Sequence, residues 1–272
     1  MHAWELARSP MEYSLSASMH DRTQEGPFLS VVIPAYNEAD RIGATLARVC
    51  SYLADQPYSH DVTVVDDGSS DRTARISGEA GAGGAVTVLS YTPNRGKGHA
   101  VRYGMLRATG QYVLFSDADL ATPIEELEHL LEAVMHGADV AIGSRDVPGA
   151  RLERRQSALR ELGGKLFNRC VQAVAVPGIR DTQCGFKLFT AAASSAVFSL
   201  CTIDNFSFDV EVLYLARRLG YQIAEVPIRW RHQEGSKVRL WRDAPRMLRT
   251  LIRIRTTRYL LPKAASQTTV AR

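Results

Sequence analysis

Phe115-Ser-Asp-Ala-Asp-Leu-Ala-Thr-Pro123 is the stretch that decides how this chain reads. Gln111 to Ser116 has the apolar and aromatic content of a buried strand, and it runs directly into two carboxylates one residue apart. Strand side chains alternate faces, so Asp117 and Asp119 share a side if the extended backbone continues. At the C-terminal end of a strand they stand at the rim where open α/β sheets place their ligands. Two carboxylates this close repel unless a cation lies between them or one is protonated. Mg²⁺ and Mn²⁺ suit hard oxygen donors together with a substrate diphosphate. The plain alternative is that Asp119 only caps the helix after Thr122-Pro123, and the pair taken alone leaves both readings open.

Working outward, the flanking sequence supplies the rest of a sheet. Phe28 to Pro34 is a short β-branched run of the kind that fills a central parallel strand. Asn37 and Glu38 open an expected helix to about Leu53, with Ile42, Leu46, Val49 and Leu53 at helical spacing. A second strand, Val62 to Asp66, ends on Asp66-Asp67-Gly68-Ser69-Ser70-Asp71, and a third spans Ala85 to Tyr91. Gly96-Lys97-Gly98 introduces a helix with Val101, Met105 and Leu106 inside. Ile124 to Met135 is the next helix and Val140 to Gly143 the fifth strand. This alternation predicts an α/β fold with a mostly parallel central sheet and helices on both faces. Every acidic or glycine-rich stretch then falls just after a strand, at one rim.

Beyond Ser144-Arg145 the character changes. Arg151 to Val176 reads as a basic amphipathic helix, and Asp181 to Phe189 as a loop entering a strand. Asp209 to Leu219 reads as a helix and Tyr221 to Trp230 as a further strand. In the tail, Arg242, Arg246, Arg249 and Arg253 form one stripe, and Trp241, Ala244, Leu248 and Leu251 another. That pattern predicts a basic amphipathic helix suited to a membrane interface. The expected organisation is a flexible arm over 1–27, one domain over 28–238, a basic helix over 239–261 and a flexible tail over 262–272.

Composition narrows the classes. The 272 residues carry a net charge of +4, with 45% hydrophobic and 23% charged residues, as in ordinary globular proteins. The charge is uneven. From Val226 onward there are twelve Lys and Arg against two acids, which leaves twenty-one basic and twenty-seven acidic residues before it. A basic tail on an acidic body implies an anionic partner. No run of apolar residues is long enough for a transmembrane helix, and the first residues lack the core of a signal peptide. Cys50, Cys170, Cys184 and Cys201 have no metal spacing and read as reduced, mostly buried thiols of a cytoplasmic protein.

Asp66 and Asp67 can hold a base or ribose, Asp117 and Asp119 a divalent cation, and Lys97 or Arg145 can neutralise charge on a leaving nucleotide. A dinucleotide fingerprint fails because Val101 stands where a third glycine is needed, and there is no Walker A pattern. Serine–histidine chemistry has no support, and His99 reads as a helix-surface residue. Nucleic acid is disfavoured because the tail arginines interleave with Leu, Ile and Met rather than with stacking aromatics.

Taken together, Val32-Ile-Pro-Ala-Tyr-Asn-Glu38, Val65-Asp-Asp-Gly-Ser-Ser-Asp71, Asn94-Arg-Gly-Lys-Gly98 and Asp117-Ala-Asp119 resemble the successive motifs of family 2 glycosyltransferases, which have the GT-A fold. Asp117 to Thr122, Gly178 to Phe189, Phe208-Asp-Val-Glu211 and Glu234-Gly-Ser-Lys237 resemble the dolichyl-phosphate β-glucosyltransferases and their bacterial polyprenyl-phosphate relatives within it. The resemblance runs from about Leu29 to Tyr259. It implies inverting transfer of a hexose from a nucleotide sugar, UDP-glucose, to a polyprenyl or dolichyl monophosphate. Pro34, Ala35, Tyr36, Glu38, Asp66, Asp67, Lys97 and Asp117 would border the nucleotide. Asp117 and Asp119 would hold Mg²⁺ or Mn²⁺. Arg145, Gln183 and Lys187 would line the transfer site, with Arg229, Ser236 and Lys237 near the diphosphate or acceptor phosphate.

Eukaryotic enzymes of this type have an N-terminal membrane helix and many bacterial ones have helices after the catalytic domain; neither is expected here. The implied location is the cytoplasmic membrane face, held peripherally on anionic lipid, with a second copy or a membrane protein left open as partner. Mannose synthases often have glutamine two residues past the second aspartate, where this chain has Ala121, which leans away from GDP-mannose. A sugar nucleotidyltransferase would need a glycine-rich basic loop where Pro34 to Glu38 stands. A non-catalytic lipid-binding module would have no use for Asp117 and Asp119.

Overall fold

The apolar runs assemble into one sheet in the computed structural model, which describes residues 26–82, 84–154, 169, 171–172, 174–231 and 249–261. The strands are β1 (Leu29–Ala35), β2 (His60–Asp66), β3 (Thr87–Ser90), β4 (Tyr112–Ser116), β5 (Val140–Ser144), β7 (Phe186–Thr190) and β8 (Ile223–Pro227), ordered β3-β2-β1-β4-β7-β5-β8. A two-stranded parallel ribbon joins β6 (Arg151–Arg154) to β9 (Arg229–Arg231). The helices are α1 (Ile42–Ala54), α2 (Thr73–Ala80), α3 (Lys97–Met105), α4 (Leu127–Met135, after a 3₁₀ turn at Ile124–Glu126), α5 (Ala191–Leu200) and α6 (Phe208–Arg218).

Strand alternation sorts the core into two layers. Val32, Val65, Phe115 and Ile142 face α3, α5 and α6, whereas Val31, Ile33, Val64 and Leu114 face α1 and α4. Each fully buried Leu or Phe in these layers contributes about 1.5–3 kcal/mol by leaving water. The expected α/β architecture with helices on both faces is therefore the one found. Only β7 runs against its sheet neighbours, antiparallel to both β4 and β5. That reversal matters for the site. It sets Phe186 beside Ser116, so the loop entering β7 arrives at the same rim as the C-terminal end of β4.

Several expectations are corrected. Arg151–Arg154 is a strand rather than a helix start, because alternating Arg-Leu-Glu-Arg pairs with β9. Residues 155–168 lie outside the described residues. The run Tyr221 to Trp230 divides at Ile228 into β8 of the main sheet and β9 of the ribbon. The first helix starts at Ile42, not Asn37, because Asn37 takes a left-handed φ of 50° and Glu38 to Arg41 form the turn. Helix α5 was not anticipated; Thr190 caps it by accepting from Ala193 N at 3.3 Å. The arm over 1–25, the tail over 262–272, and Trp241, Arg242, Ala244, Arg246 and Leu248 lie outside the described residues. Residues 249–256 are helical, but Leu251 and Ile254 are fully buried in the α3–α5–α6 layer, so their apolar side is taken up by the core rather than open to a bilayer.

Candidate active site

The turns after β1 and β2 interlock. Asn37 N donates to Ser69 Oγ at 2.9 Å, and Ser70 N returns a bond to Asn37 Oδ1 at 2.8 Å. Glu38 N donates to Thr73 Oγ1 and Ala39 N to Asp71 Oδ2. Small hydroxyl and carboxylate side chains at turn positions can do this, which is why the sequence is dense in Ser, Thr, Asn and Asp there. The result is a preformed edge with Pro34 and Ala35 buried at the end of β1 and Tyr36 exposed beyond them. Glu38 sits beside Arg41 at 2.8 Å.

Asp66 and Asp67 have different surroundings. Asp67 is buried, and its carboxylate accepts from Tyr91 OH, Asn94 Nδ2, Arg95 N and Gly96 N, all within 2.9 Å. It pins the loop that delivers Lys97. Asp66 accepts one longer bond, 3.3 Å from Ser69 N. At Gly68 a side chain would have to tolerate a φ of 68° and a Cβ 2.8 Å from Asn94 N, so only glycine suits the turn.

The loop pinned by Asp67 ends at the N-terminus of α3, where Lys97 Nζ meets Asp117 Oδ1 at 2.7 Å. Burial opposes the Lys97 charge, and the carboxylates of Asp117, Asp209 and Asp119 outweigh it, so its pKa is raised. Asp119 does not cap the following helical turn, whose cap position is Pro123, and it sits on a turn where Leu120 takes a φ of 45°. Its Oδ1 accepts from Ala121 N at 3.0 Å, and its other oxygen has no partner among the described residues. Burial and then the Asp117 charge raise its carboxyl pKa. A hard divalent cation answers that arrangement: an open carboxylate oxygen beside a second carboxylate, with other positions left to diphosphate and water. Lys97 already occupies one oxygen of Asp117, so Asp119 is the principal ligand candidate. Among the described residues there is no cluster of three or more His, Cys, Asp or Glu side chains that could hold a metal without the substrate.

Asp117 is held from behind by the loop entering β7. Its N–H donates to Gly185 O at 2.9 Å, and a Cβ on Gly185 would lie 2.0 Å from Asp117 Oδ2. Lys187, expected to line the transfer site, is 1% exposed and instead reaches under this loop to Cys184 O and to buried Asp209 on α6. It acts as a strut. Burial pushes the neighbouring Cys184 thiol up to about 11, so it stays protonated.

Arg145 follows β5 and makes a bidentate pair with Asp181, Nε to Oδ2 at 2.6 Å and Nη2 to Oδ1 at 2.9 Å. Burial opposes ionisation of Asp181, but Arg145 outweighs it and lowers the carboxyl pKa. Gln183 N joins the same carboxylate at 3.2 Å, and Trp230 lies 5.2 Å from the Arg145 guanidinium. Thus Arg145, Gln183, Gly185, Asp117, Asp119 and Lys97 form one continuous rim. Arg229 does not join it. It pairs with buried Glu126 and lines a groove with His129 and Arg151, on the opposite side of β9 from Trp230. Ser236 and Lys237 lie outside the described residues.

His99, read as a surface residue, is 7% exposed and packs edge-on to Tyr91 at 5.1 Å. Burial and then Arg95 and Arg102 lower its pKa, so it is neutral. Sequence reasoning passed over Asp181, Gly185 and Asp209. Asp181 and Gly185 sit in the stretch entering β7, and the available signal was the resemblance that sets Gln183 and Lys187 of this same stretch at the transfer site.

The comparisons agree with this architecture. A model described as glycosyl transferase family 2 matches residues 30–198. The dolichyl-phosphate beta-glucosyltransferase of Dictyostelium discoideum is 37% identical over 248 residues, spanning 86% of this chain and 75% of that protein. The protein of the same name from Homo sapiens is 38% identical over 228 residues, spanning 77% and 69%. Glucosyl-3-phosphoglycerate synthase from Mycobacterium tuberculosis, solved with Mn²⁺, UDP and glucosyl-3-phosphoglycerate, superposes with a TM-score of 0.66 at 19% identity, covering 96% of this chain and 88% of that one. That likeness shows the GT-A fold. A conserved-family match over more than half the chain and close relatives over most of it have one reading: this chain is a glycosyltransferase and belongs to glycosyl transferase family 2.

Proposed function

We propose that this glycosyltransferase moves glucose from UDP-glucose to a dolichyl or polyprenyl monophosphate at the cytoplasmic face of a membrane, with inversion at the anomeric carbon. The observation that carries the reading is the rim itself: an open Asp119 carboxylate beside the Asp117–Lys97 pair, flanked by Arg145. The names of the relatives supply the sugar and the acceptor.

Mg²⁺ or Mn²⁺ held by Asp119 and Asp117 would supply positive charge to the donor diphosphate and the leaving nucleotide. The protein's own part is positioning and charge. The interlocked turns around Tyr36, Glu38 and Asp66 border the nucleoside, and Lys97 stands where negative charge builds on the departing diphosphate. No general base is required, because a phosphate monoester is already ionised near neutral pH. Its oxygen forms the new bond to the anomeric carbon while the bond to the nucleotide β-phosphate breaks, and the electron pair leaves with UDP. Arg145, held rigid by Asp181, is set to meet acceptor or donor phosphate near that carbon.

At the membrane, Arg249, Arg253, Arg255 and Arg258 are exposed, and Ile252 is 57% exposed. With Leu251 and Ile254 buried, attraction to anionic headgroups, about 1 kcal/mol per arginine, replaces insertion of an apolar helix face. No helix among the described residues is long and apolar enough to cross a membrane.

The test is incubation with radiolabelled nucleotide sugars, dolichyl phosphate and Mn²⁺, followed by extraction into organic solvent. Label from UDP-glucose is expected in the lipid phase. Label from GDP-mannose alone would replace the glucose assignment, and no lipid label from any donor would overturn the acceptor assignment.

A further inference from the structure

The carboxylate of Glu211 on α6 is fully buried, yet it is not part of the rim. It accepts from Thr202 N at 3.0 Å to each oxygen, from Thr202 Oγ1 at 2.8 Å, from Ile203 N at 2.8 Å and from Tyr259 OH at 2.9 Å. A buried anion with this many donors fixes whatever carries them. What it fixes is the 201–204 segment between α5 and α6.

The other side of that segment is pressed against the start of α3. Gly98 N donates to Asp204 O at 2.8 Å. A Cβ on Gly96 would lie 2.4 Å from Asp204 O, and one on Gly98 would lie 2.3 Å from Ile203 O, so both glycines exist to let the backbones touch. Arg102 adds two further bonds, from Nη1 to Cys201 O at 2.8 Å and from Nη2 to Asp204 Oδ1 at 2.9 Å. Lys97 lies between the two glycines.

We infer that Glu211 and Tyr259 are positioning residues: the C-terminal segment, through the Tyr259–Glu211 bond, locks 201–204 and thereby sets the Gly96-Lys97-Gly98 backbone from which Lys97 reaches Asp117. Tyr259 is the C-terminal end of this chain of contacts. It lies past the buried helix that carries Leu251 and Ile254, and its ring packs tilted at 6.1 Å from Tyr214. Seating of the basic C-terminal segment is thus coupled to the placement of the lysine on the nucleotide side. This rests on the proposed role of Lys97, but the contact chain can be tested without it.

The test is hydrogen–deuterium exchange on full-length Tyr259→Phe, which keeps the ring and removes one donor, alongside transfer kinetics. Exchange at the amides of Gly98, Ala100, Thr202 and Ile203 should speed up about tenfold, with Leu29–Ala35 of β1 unchanged. Transfer turnover should fall about fivefold with little change in donor KM. Exchange that rises only beside Tyr259, or equally throughout the sheet, would overturn the coupling. Altered exchange at Gly98 in a protein whose wild type transfers no sugar would leave the coupling standing and remove the proposed function instead. Unchanged turnover in an active protein with loosened Gly98 would remove the positioning role.

Discussion

Two acidic pairs follow β2 and β4, the parallel strands on either side of β1, and they are used in opposite ways. Asp66 and Asp67 are adjacent, so their side chains diverge. Asp67 turns inward and is saturated by four internal donors, while Asp66 stays lightly bonded at the rim. Asp117 and Asp119 are two apart and stay together, one paired with Lys97 and the other with an oxygen free of described partners. Spacing thus separates scaffold from site. A carboxylate saturated by backbone and side-chain donors holds a loop, and the one raised in pKa by burial and a like charge is the one proposed for the cation.

The sharpest break of that contrast is at Asp119. Asp119→Ala is expected to lower transfer by about 10³-fold while thermal melting stays where it was. Asp67→Ala should act first on the scaffold. It strands four donors in a buried loop, so stability should fall by about 3 kcal/mol in urea titration. Asp67→Asn should be intermediate, because its amide would point at Gly96 N–H.

Gly185→Ala sharpens the comparison from behind. The added methyl lies against the Asp117 carboxylate, and displacing that group by about 1 Å should cost about 10²-fold in turnover, read as kcat with the donor saturating. The Arg145–Asp181 pair adds a pH signature. Asp181 has a lowered pKa when folded, so its stabilisation is present above the ordinary carboxylate range and is lost as pH falls through the lower folded value. Arg145→Gln removes the partner and leaves a buried carboxyl that burial alone raises. Melting of this variant should be lower at neutral pH by the equivalent of about 3 kcal/mol, and the gap to the parent should narrow as pH falls, because the variant's raised carboxyl takes up a proton while the parent loses its ion pair. The smallest effect belongs to the surface. Replacing Arg249, Arg253 and Arg255 by Gln should weaken binding to anionic liposomes severalfold, with transfer to a short soluble acceptor retained.

Much of this was legible in the chain. The apolar runs at Val31, Val64 and Leu114 and the turn residues after them announced a doubly covered sheet, and Asp117-Ala-Asp119 stood out because a strand led straight into it. The stretch around Asp181 and Gly185 reached the site only through the resemblance that set Gln183 there, since nothing local says that β7 runs antiparallel; that is decided by packing. Lys187 was misplaced for a related reason. A lysine in a motif reads as exposed, and only the buried Asp209 on α6, distant in sequence, explains why it turns inward. Arg151 misled by helical charge spacing, which a ribbon partner at Arg229 overrode.

The most direct test of the metal–diphosphate assignment is electron paramagnetic resonance of Mn²⁺ titrated into the protein with UDP present, comparing the parent, Asp119→Ala and Asp67→Asn. Bound Mn²⁺ is expected for the parent and for folded Asp67→Asn, and loss of the bound signal for Asp119→Ala at unchanged melting temperature. Retention of Mn²⁺ by Asp119→Ala with the parent's affinity would contradict the assignment of that carboxylate.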